Sequence, residues 1–275
     1  ASESTDRHLE KLATELDAFI EANTEAKIVV VTSGGTSAPL EKNTVRSIEN
    51  FSTGKRGAVS TENFLVQGYS VIFLTRTCAI QPFLRFFDRN VLAKNPTITA
   101  EMTTNLQAYH AYTSSNRLLT VDFVEVTDYL SKLEALTRVL APLGKRVMFY
   151  LAAAVSDYYI PEPPCHKMKS DISNLCLTLS QVPKKLGVIK EASQDFLAVS
   201  FKLETDCEIL LRSCHKAIER YGVDLVVGNL LHTRNAEVVL VSNSSELKIT
   251  AVEGRDIEED IVSTLRSIHE ARLTN

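Results

Sequence analysis

Five cysteines, an odd number with no CxxC pair, argue against a disulfide framework and against a zinc site. They read as packing residues in a reducing compartment. The six histidines show no HExxH spacing. No apolar run approaches the roughly 20 residues that span a bilayer. An excess of positive charge is missing as well: the formal net charge of −4 has the wrong sign for bulk nucleic-acid binding. The acidic, amphipathic start reads as neither a signal nor a transit peptide. Two phosphate-binding fingerprints, GxxxxGKS/T and GxGxxG, are absent too. The absences leave a cytoplasmic protein, with the nucleus as a second location, and neither a membrane nor a nucleic-acid partner.

What is present is a chain of 275 residues with 44% hydrophobic content, ample for a sizeable core. Leu9, Leu12, Ala13, Leu16, Phe19 and Ile20 recur at helical spacing. Residues 27–32 (KIVVVT) then form a β-branched run, as expected of a strand buried on both faces. The alternation continues with a helix over 57–67 stopped by Gly68, a strand over 71–74, a helix over 128–140 and a strand over 147–154. Further strands are expected over 196–202 and 224–229. The helix between them has a capping box of Thr205 and Glu208 and a stop at Gly222. A hairpin of 238–241 and 247–250 and a final helix over 257–269 close the chain. The fold class is α/β: one domain over 1–275, a Rossmann-like, mostly parallel sheet flanked by helices, with a C-terminal hairpin.

Two stretches break the alternation. The long segment 77–118 reads as an insertion whose Phe83, Phe86, Phe87, Tyr109 and Tyr112 suit packing or a dimer interface ahead of ligand contact. The segment 158–183, rich in Pro, Lys and Ser, reads as a flexible flap over the C-terminal edge of the sheet.

In an open parallel sheet, ligands bind beyond the carboxyl ends of the strands. Three such ends are small or polar here: Ser33-Gly34-Gly35-Thr36, Ala152-Ala153-Ala154 with Ser156 and Asp157, and Gly228-Asn229. The stretch NFSTGKRG (50–57) sets Ser52, Thr53, Gly54 and Gly57 just before a helix, where unpaired N–H groups and the helix dipole favour phosphate oxygens. Lys55 and Arg56 add positive charge.

These residues resemble a known family. TSGGTSAPLEKNTVRSIENFSTGKRG (32–57), LAAAVSDYYIP (151–161), SFKLETD (200–206) and VVGNLL (226–231) resemble, in order, the signature segments of phosphopantothenoylcysteine synthetases. The long 77–118 segment and the lack of a fused flavin-dependent domain resemble the eukaryotic, stand-alone type.

The resemblance implies a ligase of coenzyme A biosynthesis. Such an enzyme activates the phosphopantothenate carboxylate as an acyl-nucleotide, releases pyrophosphate, and then forms an amide with cysteine. It implies that Gly34, Ser52, Gly54 and Gly57 line the nucleotide phosphates and that Phe201 and Asn229 meet base and sugar. Asn50 is implied to hold the reacting carboxylate, and Ala153, Ala154 and Asp157 the phosphopantothenate. Arg46 is implied to grip the substrate phosphate of a neighbouring subunit, which makes the enzyme a homodimer with shared sites. Lys167, in HKMKS, is the implied cation of adenylyl transfer, with Lys169 as its rival. ATP is the expected nucleotide, CTP the alternative, with magnesium held by phosphate and water rather than by protein ligands.

Two other functions compete. A nicotinamide-dependent oxidoreductase of Rossmann type is suggested by the glycine turn, but no YxxxK pair exists; Tyr129 and Lys132 are three apart. A non-catalytic regulatory relative of the synthetase is the second, against which the intact Asn50, Asp157 and Asn229 speak.

Overall fold

The computed structural model describes residues 2–87, 92–93, 97–169, 174–183 and 186–274. Parts of the expected insertion (88–91, 94–96) and flap (170–173) therefore lie outside the described residues. In chain order the elements are α1 (Ser2–Ala22), β1 (Ile28–Ser33), β2 (Ser37–Pro39), β3 (Ser47–Glu49), α2 (Lys55–Val66), β4 (Ser70–Arg76) and α3 (Ala100–Ser114). Next come β5 (Leu118–Phe123), α4 (Val126–Leu140), β6 (Val147–Leu151), β7 (Tyr158–Tyr159), β8 (Ser180–Gln181), α5 (Leu186–Ala192) and β9 (Leu197–Glu204). The chain ends with α6 (Cys207–Tyr221), β10 (Leu225–Leu230), β11 (Glu237–Val241), β12 (Glu246–Thr250) and α7 (Ile257–Thr274).

Among the described residues, eight strands form one sheet in the order β12-β11-β10-β9-β6-β1-β4-β5. The strands from β10 to β5 run parallel, and β11 and β12 are antiparallel. Numbered along the chain, the parallel strands lie in the order 3-2-1-4-5-6, that of doubly wound dinucleotide folds. The reversal falls between β1 and β6, so a ligand crevice is expected where Ser33 and Leu151 end.

The apolar strands are buried because both faces are covered. Ile28, Val30, Ile72 and Leu74 turn to the face of α1, α4, α5 and α6, while Val29, Val31, Val71 and Phe73 turn to that of α2, α3 and α7. Each such side chain contributes about 1.5–3 kcal/mol over its exposed state. This is the sheet expected from the sequence, with the C-terminal hairpin in place.

Several expectations are corrected. Segment 77–118 forms the crossover between the adjacent parallel strands β4 and β5 and carries α3. Strand β5 escapes notice because it is an edge strand, with Asp122 exposed and Leu119 and Thr120 half-buried. Phe83 is buried and stacks on Tyr112 at 5.5 Å, so this aromatic pair packs the crossover onto the sheet. Helix α2 starts at Lys55, which puts Lys55, Arg56 and Gly57 inside its first turn; Gly68 (φ 91°) closes its other end, with Tyr69 N–H on Phe64 O at 3.0 Å. The cap of α6 is Asp206, whose carboxylate accepts from Glu208 N–H at 2.8 Å, not Thr205. Strand β6 ends at Leu151, where the Ala152 N–H folds back on Tyr150 O. Of the cysteines only Cys214 is buried; Cys78, Cys165, Cys176 and Cys207 are exposed. The ends of 158–183 are not loose: β7 and β8 pair, Tyr158 opposite Gln181.

Candidate active site

Beyond β1 and β6 the backbones stay in contact. Ala154 N–H donates to Gly34 O at 2.8 Å, and Thr36 N–H donates to Ala154 O at 3.1 Å. Thr36 Oγ1 accepts from Ser156 N–H at 2.8 Å, and Thr32 Oγ1 from Ala153 N–H at 3.1 Å. Asn50 is fastened along this seam. Its backbone N–H meets Thr36 O at 3.2 Å and its Nδ2 donates to Val155 O at 3.0 Å. That bond uses one of the two Nδ2 hydrogens, so the second remains a donor and Oδ1 an acceptor for other work.

The glycines of the turn act first on packing. A Cβ on Gly35 would stand 1.8 Å from the Asn50 carbonyl oxygen, and one on Gly57 would stand 2.5 Å from Ser33 Cβ. Their absence lets residues 50–57 lie directly against the end of β1. Ser33 Oγ locks the contact by donating to Gly54 O at 3.0 Å, and Gly54 enters α2 through the left-handed region (φ 79°). Ser52 Oγ accepts from Gly54 N–H at 3.3 Å. Of the first N–H groups of α2, that of Lys55 turns to Thr53 Oγ1 at 3.4 Å, and those that follow have no helical partner by geometry, as suits an anion.

Lys55 and Arg56 do not add free positive charge there. Lys55 Nζ lies 3.0 Å from Asp256 and Arg56 Nη1 3.6 Å from Glu258, both at the start of α7. Arg85 bridges Asp256 and Glu62 at 3.1 and 3.4 Å. Burial pushes the Glu62 carboxyl up despite Arg85; at Asp256 burial is outweighed by Lys55 and Arg85, and its carboxyl sits below the ordinary range. The Arg56 guanidinium also lies over the Phe201 ring, 5.9 Å from its centroid, and Phe201 meets Tyr150 edge-to-face at 4.9 Å. Asn229 is buried on β10, and strand alternation puts it on the face of Val227, which pairs with Phe201.

The seam thus collects Asn50, Gly34, Ser52, Gly54, Gly57, Ala153 and Ala154, with Asp157 exposed two residues beyond Val155. Phe201 joins through Arg56. Arg46 stands apart on the β2–β3 loop, paired within its own chain to the buried Glu41 at 2.6 Å. Lys167 and Lys169 are both exposed. Sequence reasoning passed over Glu41 because one of its partners, Met168, lies 127 positions away and no local pattern marks it. The oxidoreductase alternative gains nothing: Tyr129 is buried, with its hydroxyl pushed up to about 12 by desolvation, and Lys132 is engaged with Asp128 and the Asp122 carbonyl.

Strand order and seam together define a doubly wound α/β protein with its ligand crevice at the topological switch point. The family described as DNA/pantothenate metabolism flavoprotein C-terminal domain matches residues 97–267. The human protein named phosphopantothenate–cysteine ligase is 39% identical over 270 residues, covering 89% of this chain and 87% of its own. The Saccharomyces cerevisiae ligase CAB2 is 39% identical over 250 residues, covering 78% and 68%. A solved Cab2 mutant superposes with a TM-score of 0.90 at 36% identity, covering 98% and 94%; a second, in complex with phosphopantothenate-cysteine, gives 0.86 at 35%. The chain belongs to the phosphopantothenate–cysteine ligase family, enzymes of coenzyme A biosynthesis, and is a ligase. Among the described residues no helix is long and apolar enough to cross a membrane.

Proposed function

We propose that the ligation runs through an acyl-nucleotide. A carboxylate oxygen of phosphopantothenate attacks the α-phosphorus of ATP, or of CTP as the alternative. The bridging P–O bond breaks and pyrophosphate leaves with the electron pair. The cysteine amine then attacks the activated carbonyl carbon, the C–O bond to the nucleotide breaks, and the nitrogen loses its proton to solvent. Positioning and N–H stabilisation carry the acceleration, because two anions must be brought together.

The observation that carries this reading is Asn50, whose amide is held by Val155 O and whose backbone is tied to Thr36 at the junction of the two switch-point strands. Asn50 holds the reacting carboxylate, while Gly34, Ser52, Gly54 and Gly57 offer the α2 turn to the nucleotide phosphates. Phe201 and Asn229 take base and sugar; Ala153, Ala154 and Asp157 take phosphopantothenate. Lys167 neutralises phosphate charge in transfer, with Lys169 as the rival in the same exposed stretch. Magnesium would arrive as part of the nucleotide substrate, held by phosphate and water.

Arg46 reaches the phosphate of substrate bound to a second copy, so the working form is a homodimer in the cytoplasm, with the nucleus as a second location. Exposed apolar side chains around the β2–β3 pair and the β7–β8 segment support such a face: Val45, Ile48, Phe51, Tyr158, Leu175 and Leu177.

The test is pyrophosphate release from protein, magnesium nucleotide and phosphopantothenate. About one equivalent per site is expected without cysteine and continuous turnover with it, while Asn50→Ala loses about 100- to 1,000-fold and is destabilised by only about 1 kcal/mol for the lost bond to Val155. Release that ignores phosphopantothenate, or an Asn50→Ala enzyme of full activity, would sink the reading.

A further inference from the structure

Glu41 is fully buried (0% exposed), and a carboxylate in that position costs stability unless its oxygens are satisfied. They are. Oε1 accepts from Arg46 Nε at 3.0 Å, from Arg46 Nη2 at 2.6 Å and from Met168 N–H at 3.4 Å; Oε2 accepts from Arg46 N–H at 3.2 Å. Arg46 Nη2 also donates to Met168 O at 2.9 Å, closing a ring of three residues. Around it, Lys42 N–H donates to Pro164 O at 2.8 Å and Asn43 N–H to Cys165 O at 3.1 Å. The loop 40–46 and the stretch 164–168 are therefore fastened side by side, with Glu41 inside the joint.

Two things are fixed at once. With Nε and Nη2 committed to the joint, Arg46 Nη1 is the guanidinium nitrogen outside these bonds, on a side chain still 37% exposed. Met168 holds in place the stretch that carries Lys167 and Lys169 on either side of it.

We propose that Glu41 is a positioning residue for the ligation: it aims Arg46 at the substrate phosphate and, through Met168, sets the stretch bearing the transfer lysine. The inference rests on the reading of Arg46 as the phosphate ligand. Glu41 touches no substrate; it acts by fixing the geometry of two cations that do, one donating to a bound phosphate and one facing the transferring group. A guanidinium without this anchor explores many rotamers, and the entropy of ordering it is then charged to binding.

The test uses steady-state kinetics of the full chain with Glu41→Gln, Arg46→Ala and the double variant, together with the rate of trypsin cleavage at Lys167 and Lys169. In Glu41→Gln the KM for phosphopantothenate is expected to rise about 10- to 100-fold, with the KM for nucleotide within about twofold. Trypsin cleavage should accelerate. The double variant should bind phosphopantothenate no worse than Arg46→Ala alone, because Glu41 acts through Arg46. An unchanged or lowered KM in Glu41→Gln, or losses that multiply in the double variant, overturns the proposal. If Arg46→Ala leaves KM unaltered, the reading of Arg46 fails instead, and the trypsin rate alone judges whether Glu41 sets the lysine stretch. Should Glu41→Gln not fold, Glu41→Asp, which keeps the charge but withdraws it by one methylene, takes its place with the same expectations.

Discussion

Between Ser33 and Gly57 a single added methyl collides with backbone, whereas between 158 and 183 three leucines are 36–49% exposed. Both regions border the same switch point. In the first, Gly35 is pressed against the Asn50 carbonyl and Gly57 against Ser33, so geometry is set by contact in every direction. In the second, two-residue strands pair at the ends, and the stretch 164–168 is held by backbone bonds to the 40–46 loop around one buried carboxylate. Anion donors that must not move sit in the packed region. The exposed Lys167 and Lys169, proposed to meet the nucleotide, ride on the second region.

The comparison breaks most visibly at Gly35. Gly35→Ala forces residues 33–36 away from 50–52 and is expected to cost about 3 kcal/mol. Differential scanning calorimetry should register a fall of roughly 6–12 °C, with ligation lost alongside. A variant that melts like the parent would mean the turn is not packed as described.

Acid should loosen the other region. At Glu41 burial raises the carboxyl, but the bonds from Arg46 and Met168 outweigh it, so its value lies below the usual 4.5. A depressed folded value gives a contribution fully present above about 4.5 and lost as pH falls through the lower folded value. Pepsin cleavage of 158–183 should therefore accelerate more steeply in the parent than in Glu41→Gln as pH drops from about 4.5. Parallel pH profiles would remove Glu41 as the titrating group.

The smallest effect on stability belongs to the exposed leucines. Leu175→Ser combined with Leu177→Ser and Leu179→Ser removes surface that solvent already reaches, and unfolding is expected to change by only about 0.5 kcal/mol per site. Sedimentation should nevertheless shift from dimer toward monomer. A variant as dimeric as its parent would move the proposed interface off this face.

How much of this was legible beforehand follows from how local each signal is. The buried strands 28–33 and 70–76, the terminal hairpin and the helix stop at Gly222 announce themselves in apolar runs and turn residues. Strand β5 did not, because an edge strand with one wet face lacks the continuous run that marks its neighbours. The residues from Asn50 to Gly57, proposed for the site, were singled out by their motif, yet their part in the close packing of α2 on β1 was invisible. Lys55 and Arg56 read as free cations because their acidic partners lie about 200 residues further on.

The sequence by itself determined the alternation of strand and helix, the two-sided burial of the sheet and the family to which the chain belongs. Those properties are written in periodicity and in short motifs, which need no partner from elsewhere in the chain. Only the tertiary structure decided which charges are paired with each other. Arg46 is turned by a buried carboxylate that Met168, from a remote stretch, also binds, and Lys55 is paired because α7 begins beside α2. Ion pairing depends on distance in space, and distance in space between remote residues is set by the fold rather than by any local pattern.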